Sequence, residues 1–393
     1  MADTSELNRL RDHTSPYAPI RLRNEFWWQF ARGMAKEGHI TPSGAFTHAE
    51  VPNMIFEMLV IPAIKTMSER AKAGEFPMEA AAQISSKFFE QRHWVPLIAQ
   101  YELNGREIFD MHDVLTEMLQ QTDVAECTLG GLRLPFDAFY IRFGKLDVAK
   151  ADFGEGEFEY VDGAFVAATP WDAAGDPSGP YRLKIGLTTV KEDGTGVMMP
   201  GYFLDFMPEE QKLPVDEAID AAMKRRIEVV TESQGSDQNM VNLGLVRAEE
   251  IKEGAALMRG AIGLVINALF YLESLKEIPP HSVGRDTSPA LTAKWLTSKP
   301  ERRHKLKSEL TSSGYTVVRL VGSEIADAVP GGVPSSATKR THWRRGYYRE
   351  QACGPRWSER RRQWIRPTIV NQGKSDPLDL PGHVYVAGAP GNQ

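Results

Sequence analysis

The stretch LRLPFDAFYIRFG, residues 132–144, marks the point where the character of the sequence changes. Phe139, Ile141 and Phe143 stand at alternate positions, which is the pattern of a β-strand with one buried face. Further short runs rich in aromatic and β-branched residues follow up to about Met207, and turn residues separate them. We therefore predict an antiparallel meander over residues 132–207, packed against helices.

Helical patterns precede and follow this meander. In residues 49–74 the apolar side chains recur at spacings of three and four, and Gly74 is a suitable stop. A further segment, FDMHDVLTEMLQQ, reads as a helix with Asp110 as its N-cap. The helical period returns over residues 214–276, after which GYTVVRLVG, residues 314–322, predicts a strand.

The fold class that follows is α+β. We predict a helical N-terminal region at residues 1–125 and an antiparallel sheet with packed helices at residues 126–278. A basic linker with one strand follows at residues 279–340, and a small basic, aromatic-rich β element occupies residues 341–393. At 393 residues the chain exceeds the size of a single typical core.

Composition indicates a globular cytoplasmic protein. The chain is 42 % hydrophobic and 25 % charged, and it carries a net charge of −6. Its two cysteines, Cys127 and Cys353, do not form a disulfide framework or a cysteine-based zinc motif. Residues 255–272 are long enough to span a membrane, but Arg259 and Asn267 interrupt them. We predict a buried helix there and no membrane.

Familiar catalytic motifs are missing from the sequence. It has no phosphate-binding GxxxxGK[ST] loop, no GxGxxG after a strand, no GxSxG and no HExxH. Classes of enzyme that depend on nucleotides or on catalytic metals become less favoured, and we predict neither a cofactor nor a metal site.

The C-terminal segment has the opposite charge to the rest of the chain. Residues 339–366 hold ten Lys and Arg and two acids, a net charge of +8. Nearly all of these cations are arginines, whose planar guanidinium groups pair with phosphate in two-point contacts, and aromatic rings lie between them. Such a surface favours polyanions.

We predict a nucleic-acid-binding protein on this basis, with RNA or single strands preferred because stacking surfaces are abundant. The predicted contact residues are arginines for phosphates and tryptophans for bases: Trp343, Arg344, Arg345, Arg349, Trp357, Arg360, Arg361, Arg362 and Arg366.

Two alternatives remain open. The first is a metal-independent endoribonuclease toxin centred on His342, with Tyr347 as a second proton carrier and arginines to stabilise the charged phosphorane. The second is an interaction protein whose basic tail docks on an acidic partner or on the acidic remainder of the chain.

Two stretches resemble a group of bacterial proteins from mobile elements and prophages. They are FDAFYIRFG…EFEYVDGAFV and HWRRGYYREQACGPRWSERRRQWIRPTIV. The group carries a tail of the form HWRRGHWR…GP…RR…WIxP, in which this sequence has Tyr347 at the position of the second histidine. The resemblance implies a mobile-element, toxin–antitoxin or phage-defence protein of the bacterial cytoplasm, and it carries no known activity.

Overall fold

A computed structural model describes most of the chain: residues 15–146, 150–152, 158–171, 179–191, 193, 202–232, 248–249, 251–312, 315–323 and 342–370. Its architecture is a central sheet with helices on both faces, and the α+β class predicted from the sequence is confirmed.

The N-terminal part is helical, as predicted. Its helices are α1 (Ala18–Leu22), α2 (Phe26–Lys36), α3 (Val51–Ile55), α4 (Ile61–Lys72) and α5 (Met78–Leu103). A π-helical turn, Phe56–Val60, joins α3 to α4. Gly74 follows α4 with a φ of 81°, in the left-handed region that commonly ends a helix.

Strands and helices alternate through the middle of the chain. In order they are β1 (Ile108–Met111), α6 (Asp113–Gln120), β2 (Thr122–Asp123), β3 (Ala138–Arg142), β4 (Lys150–Asp152), β5 (Phe158–Pro170), β6 (Tyr181–Lys191), β7 (Phe203–Phe206), α7 (Val215–Glu232) and α8 (Ala255–Ser274). The third region holds β8 (His281–Val283), α9 (Pro289–Thr297), α10 (Pro300–Ser312) and β9 (Val317–Val321).

The central sheet has the strand order β7-β6-β5-β3-β1-β9-β8, with β4 beside β5. Strands β3, β5, β6 and β7 form the antiparallel meander that the alternation predicted. The sheet as a whole is mixed, because β1 runs parallel to both β3 and β9. Strands from residues 1–125 and 279–340 therefore complete the sheet assigned to residues 126–278.

The segment around Asp110 was predicted wrongly. Residues 108–111 form β1, in the middle of the sheet, and His112 caps α6 by accepting a hydrogen bond from the Val114 amide at 3.3 Å. Asp110 is buried, where it accepts hydrogen bonds from Tyr17 at 2.8 Å and from Arg142 and Arg285 at 3.1 Å. Two guanidinium groups thus offset the cost of placing this carboxylate inside the protein.

Two cores lie on opposite faces of the sheet. Phe139 and Ile141 pack on one face against α6, α7 and α8, and Tyr140 packs on the other face against α2 and α5. The alternation seen in the sequence therefore separates the two cores. Helix α8 is long and apolar enough to cross a membrane, but 67 % of its apolar window is buried inside the protein. It is a core helix, as predicted.

The described C-terminal residues form four strands. They are β10 (His342–Arg344), β11 (Gly346–Cys353), β12 (Glu359–Ile365) and β13 (Thr368–Val370). Strand β11 lies between β12 and β2, and β10 pairs with β13. Because β2 belongs to the N-terminal half of the chain, the basic tail is not an independent appendage.

Candidate functional site

The strongest candidate site is the antiparallel hairpin of β11 and β12, residues 346–365. Its register runs from Tyr347 opposite Ile365 to Cys353 opposite Glu359. Residues directly opposite each other share a face of the ribbon, so the hairpin has one face toward α8 and one away from it. The two faces have different roles.

The inner face is anchored to α8 by aromatic side chains. The Tyr348 hydroxyl donates to Asn267, with both the backbone oxygen and Oδ1 at 2.9 Å, and its ring meets Phe270 edge-on at 5.5 Å. Burial raises the pKa of Tyr348, so the phenol stays protonated. Opposite Tyr348, the indole of Trp364 packs edge-on against Tyr271 at 5.0 Å. These contacts fix the base of the hairpin.

Arg362 is also committed to the inner face. Its guanidinium carbon lies 4.0 Å from the ring centre of Phe270, and Nη1 donates to Glu273 Oε2 at 2.8 Å. Burial raises the pKa of Glu273, and the charge of Arg362 opposes that rise. The predicted phosphate contact at Arg362 is wrong, because this side chain neutralises an acid of the same molecule.

Arg361 ends at the C-terminus of α8. Its Nη2 donates to the carbonyl oxygens of Ser274 and Leu275 at 3.1 and 3.2 Å. A cation at this position satisfies carbonyls that lack helical partners and complements the negative end of the helix dipole. Arg361 therefore serves as a helix cap, and its expected role in binding phosphate is corrected as well.

The outer face is exposed. Tyr347 is 41 % exposed, and the Arg349 guanidinium donates to Gln363 Oε1 at 2.9 Å while keeping its charge at the surface. Arg345 lies 3.5 Å from Asp123, with both side chains about half exposed. Three further exposed arginines lie elsewhere: Arg356 at the tip, Arg360 opposite Ala352 on the same face as Arg362, and Arg366 just after β12. Within the described residues, no ion pair or hydrogen bond involves their guanidinium groups.

The tip of the hairpin is a strained turn that presents a tryptophan. Gly354 has a φ of 74°, and Arg356 and Trp357 follow with φ values of 57° and 61°. Left-handed backbone costs a residue with a side chain roughly 1–2 kcal/mol. Trp357 is nonetheless 70 % exposed, so the strain does not serve burial. Strained residues of this kind concentrate at functional sites.

The remaining predicted residues lie on β10. The backbone of His342 pairs with Val370, and Trp343 and Arg344 pair with Ile369 and Thr368. The side chains of these three residues lie outside the described part of the chain. In that part, the Tyr347 hydroxyl makes no hydrogen bond, and no group of three His, Cys, Asp or Glu is placed to hold a metal ion.

Sequence reasoning missed the anchors of the hairpin. Asn267 was interpreted only as a polar interruption of an apolar helix, and Glu273 was not singled out, although an amide inside an apolar helix needs a polar partner. Asn267 donates to the carbonyl oxygens of Leu119 and Thr122, and it accepts from Tyr348. The isolated polar residue was the available signal that another element packs there.

Known proteins give a second line of evidence beside the geometry of the hairpin. No curated protein matches the chain. Among solved structures, the crystal structure of AcrVA2 covers 84 % of this chain and 100 % of its own length, at 12 % identity and a TM-score of 0.34.

A family model gives the more specific result. The AcrVA2-like family, described as the anti-CRISPR type V subtype A2 family, matches residues 109–372, which is more than half of the chain. This match supports the predicted origin in a phage or mobile element, but it does not show the C-terminal HWRRGHWR…GP…RR…WIxP motif. It contradicts the expected nucleic-acid-binding function and the toxin alternative, because the family is one of CRISPR inhibitors. Anti-CRISPR proteins typically bind a protein effector complex. The chain belongs to the AcrVA2-like anti-CRISPR family.

Proposed function

We propose that this protein inhibits a type V CRISPR system by binding a protein component of its effector through the β11–β12 hairpin. Family membership supports the inhibitory role, and anti-CRISPR proteins typically act on a protein partner. The hairpin supplies the surface. We also propose a cytoplasmic location, which is consistent with the free thiols of Cys127 and Cys353.

One observation carries the assignment to the hairpin: Trp357 is held outside the protein by a backbone in the left-handed region. Tryptophan, tyrosine and arginine are the residue types that dominate binding energy at protein interfaces. The outer face and tip offer Trp357, Tyr347 and exposed arginines on a ribbon whose base is fixed by α8. A rigid, exposed aromatic anchor loses little entropy when it binds.

The charge of the surface indicates the chemistry of the partner. Arg349, Arg356, Arg360 and Arg366 are exposed on or beside the hairpin. Arg361 and Arg362 add no free charge, because they are engaged by α8. We infer that the hairpin docks on an acidic patch of the effector protein, with Trp357 entering an apolar recess. Charge complementarity of this kind accelerates association and selects the partner.

The test is inhibition of target cleavage by a purified type V effector complex, titrated with the full-length protein. Trp357→Ala should raise the concentration for half-inhibition at least about tenfold, as expected for a central interface aromatic. Phe26→Ala is the matched control, because Phe26 is also 70 % exposed but lies on α2, outside the residues that the family model matches. If Trp357→Ala inhibits as well as the unmodified protein, the hairpin is not the docking surface.

A further inference from the structure

A second candidate site is a cleft of about 380 Å³ that shares no lining residue with the hairpin. Its walls come from α1, α2, the end of α5, β1, β8, α10 and β9. We call it the cationic cleft and define it by the charged residues that line it: Arg23, Arg32, Glu102, Arg106, Glu107, His281 and Lys307. Its volume lies in the range that binds small molecules.

One carboxylate in the cleft is shared by several donors. Glu102 accepts hydrogen bonds from Trp28 Nε1 at 2.8 Å and from Arg32 Nη2 at 2.9 Å. The Nε of Arg106 lies 2.8 Å from its other oxygen. Two guanidinium groups therefore share a single negative charge, and both remain partly exposed to the cleft.

The second carboxylate is shared in the same way. Glu107 accepts from Arg319 Nε at 2.7 Å and contacts His281 Nε2 at 3.1 Å. Lys307 Nζ lies 3.1 Å from the same His281 nitrogen. A single ring nitrogen cannot donate to Glu107 and accept from Lys307 at once. Another acceptor near Lys307 would resolve this competition.

The turn after α5 holds Arg106 in a strained conformation at the cleft. Gly105 has a φ of 82° and Arg106 a φ of 59°. The Tyr101 hydroxyl donates to the Arg106 carbonyl oxygen at 3.2 Å and helps to hold this turn. Arginine is an unusual choice for left-handed backbone, and such positions concentrate where a side chain binds a ligand.

The lining charges do not cancel. Arg32, Arg106, Lys307 and Arg319, which pairs with Glu107, carry four positive charges, whereas Glu102 and Glu107 carry two negative ones, which leaves an excess of two positive charges before His281 is counted. Apolar and aromatic side chains complete the wall, among them Ile20, Tyr315 and Val317. The cleft thus combines a surplus of hydrogen-bond donors with an apolar surface.

We propose that the cationic cleft binds a small phosphomonoester that carries an apolar or aromatic group. A phosphomonoester has a charge of about −1.5 to −2 at neutral pH and three acceptor oxygens, which matches the excess charge and the donors of Arg32, Arg106 and Lys307. The apolar part of the ligand would lie against Ile20, Tyr315 and Val317. These residues do not overlap with the hairpin, so the proposal does not depend on the proposed function.

The experiment is calorimetric titration of the full-length protein with phenyl phosphate, beside inorganic phosphate, benzyl alcohol and succinate. Phenyl phosphate should bind saturably, with a Kd below about 1 mM, which is a modest affinity for a ligand of its size. Inorganic phosphate should bind more weakly because it lacks the apolar group. Equal or tighter binding of succinate would overturn the assignment to phosphate chemistry.

Variants locate the binding. Lys307→Gln and Arg106→Gln should each weaken phenyl phosphate at least about tenfold, as expected for the loss of a charged hydrogen bond. Lys305→Gln is the matched control, because Lys305 is an exposed cation of the same helix that does not line the cleft. Using two cleft variants guards against one that fails to fold. The proposal is overturned if phenyl phosphate does not bind, or if Lys305→Gln weakens it as much as Lys307→Gln.

Discussion

Arg362 of β12 and Glu273 of α8 form an ion pair in which Nη1 lies 2.8 Å from Oε2 and each side chain is only 11 % exposed. This pair joins the basic tail to the central core. It also divides the positive charge of the tail into two parts. Arg361 and Arg362 support the fold, and the arginines around the tip remain at the surface.

Replacing Arg362 should therefore destabilise the protein. Arg362→Met leaves Glu273 buried without its main partner, and we expect the free energy of unfolding to fall by about 2–4 kcal/mol. Urea unfolding measures this, with Arg360→Met as the control on an exposed arginine of the same strand. A similar, small effect of both substitutions would show that the ion pair is not structural.

The destabilisation by Arg362→Met should depend on pH. Burial raises the pKa of Glu273, and removing Arg362 raises it further. A carboxyl whose folded pKa is raised binds its proton more tightly in the folded state, so the folded state loses stability as pH rises through that pKa. The difference between Arg362→Met and the unmodified protein should be smaller at pH 5 than at pH 7.5. A constant difference would contradict this assignment.

The pKa of Glu107 implies the opposite dependence of folding stability on pH. Burial opposes its ionisation, but hydrogen bonds from His281 and Arg319 outweigh burial and lower its pKa to about 2. Stability from this group is present above the unfolded pKa of about 4.3 and is lost as pH falls toward 2. Glu107→Gln should therefore reduce the loss of folding stability between about pH 4.3 and pH 2 by roughly 2 kcal/mol. The exposed Glu57→Gln should leave the curve unchanged.

The central sheet depends on a close approach at Gly163. A Cβ at this position would lie 2.1 Å from the Tyr140 hydroxyl oxygen and 2.4 Å from the Ile141 carbonyl oxygen. Gly163→Ala should cost about 2–4 kcal/mol, because overpacking forces β3 and β5 apart. Gly33 lies within α2, where an added Cβ would meet no atom within 4 Å. Gly33→Ala should therefore stabilise the protein by about 0.5–1 kcal/mol. Thermal unfolding of the two variants checks both signs.

The sequence predicted what depends on local pattern. The alternation of Phe139, Ile141 and Phe143 located a strand with different cores on its two faces, and Gly74 marked a helix end. Strand β1 was missed, because four residues buried on both faces have no alternation to reveal them. Its parallel neighbours, β3 and β9, lie about 30 and 210 residues further along the chain, and no local signal specifies such pairing.

The candidate site was predicted only in part, because its contacts also join residues that are distant in the sequence. Composition located the cationic tail but did not show which arginines are engaged elsewhere in the chain. Arg360, Arg361 and Arg362 are consecutive and chemically identical, yet the structure places them at the surface, at the end of α8 and against Phe270. Only the register of β12 and the position of α8 separate their roles.

Hydrogen exchange of the full-length protein, measured with and without a purified type V effector protein, shows whether the β11–β12 hairpin is the docking surface. We predict that binding slows exchange in peptides that cover residues 346–365, above all at the Trp357 tip, and leaves exchange in α2 and α4 unchanged. Protection confined to the N-terminal helices, with the hairpin exchanging as in the free protein, would contradict it.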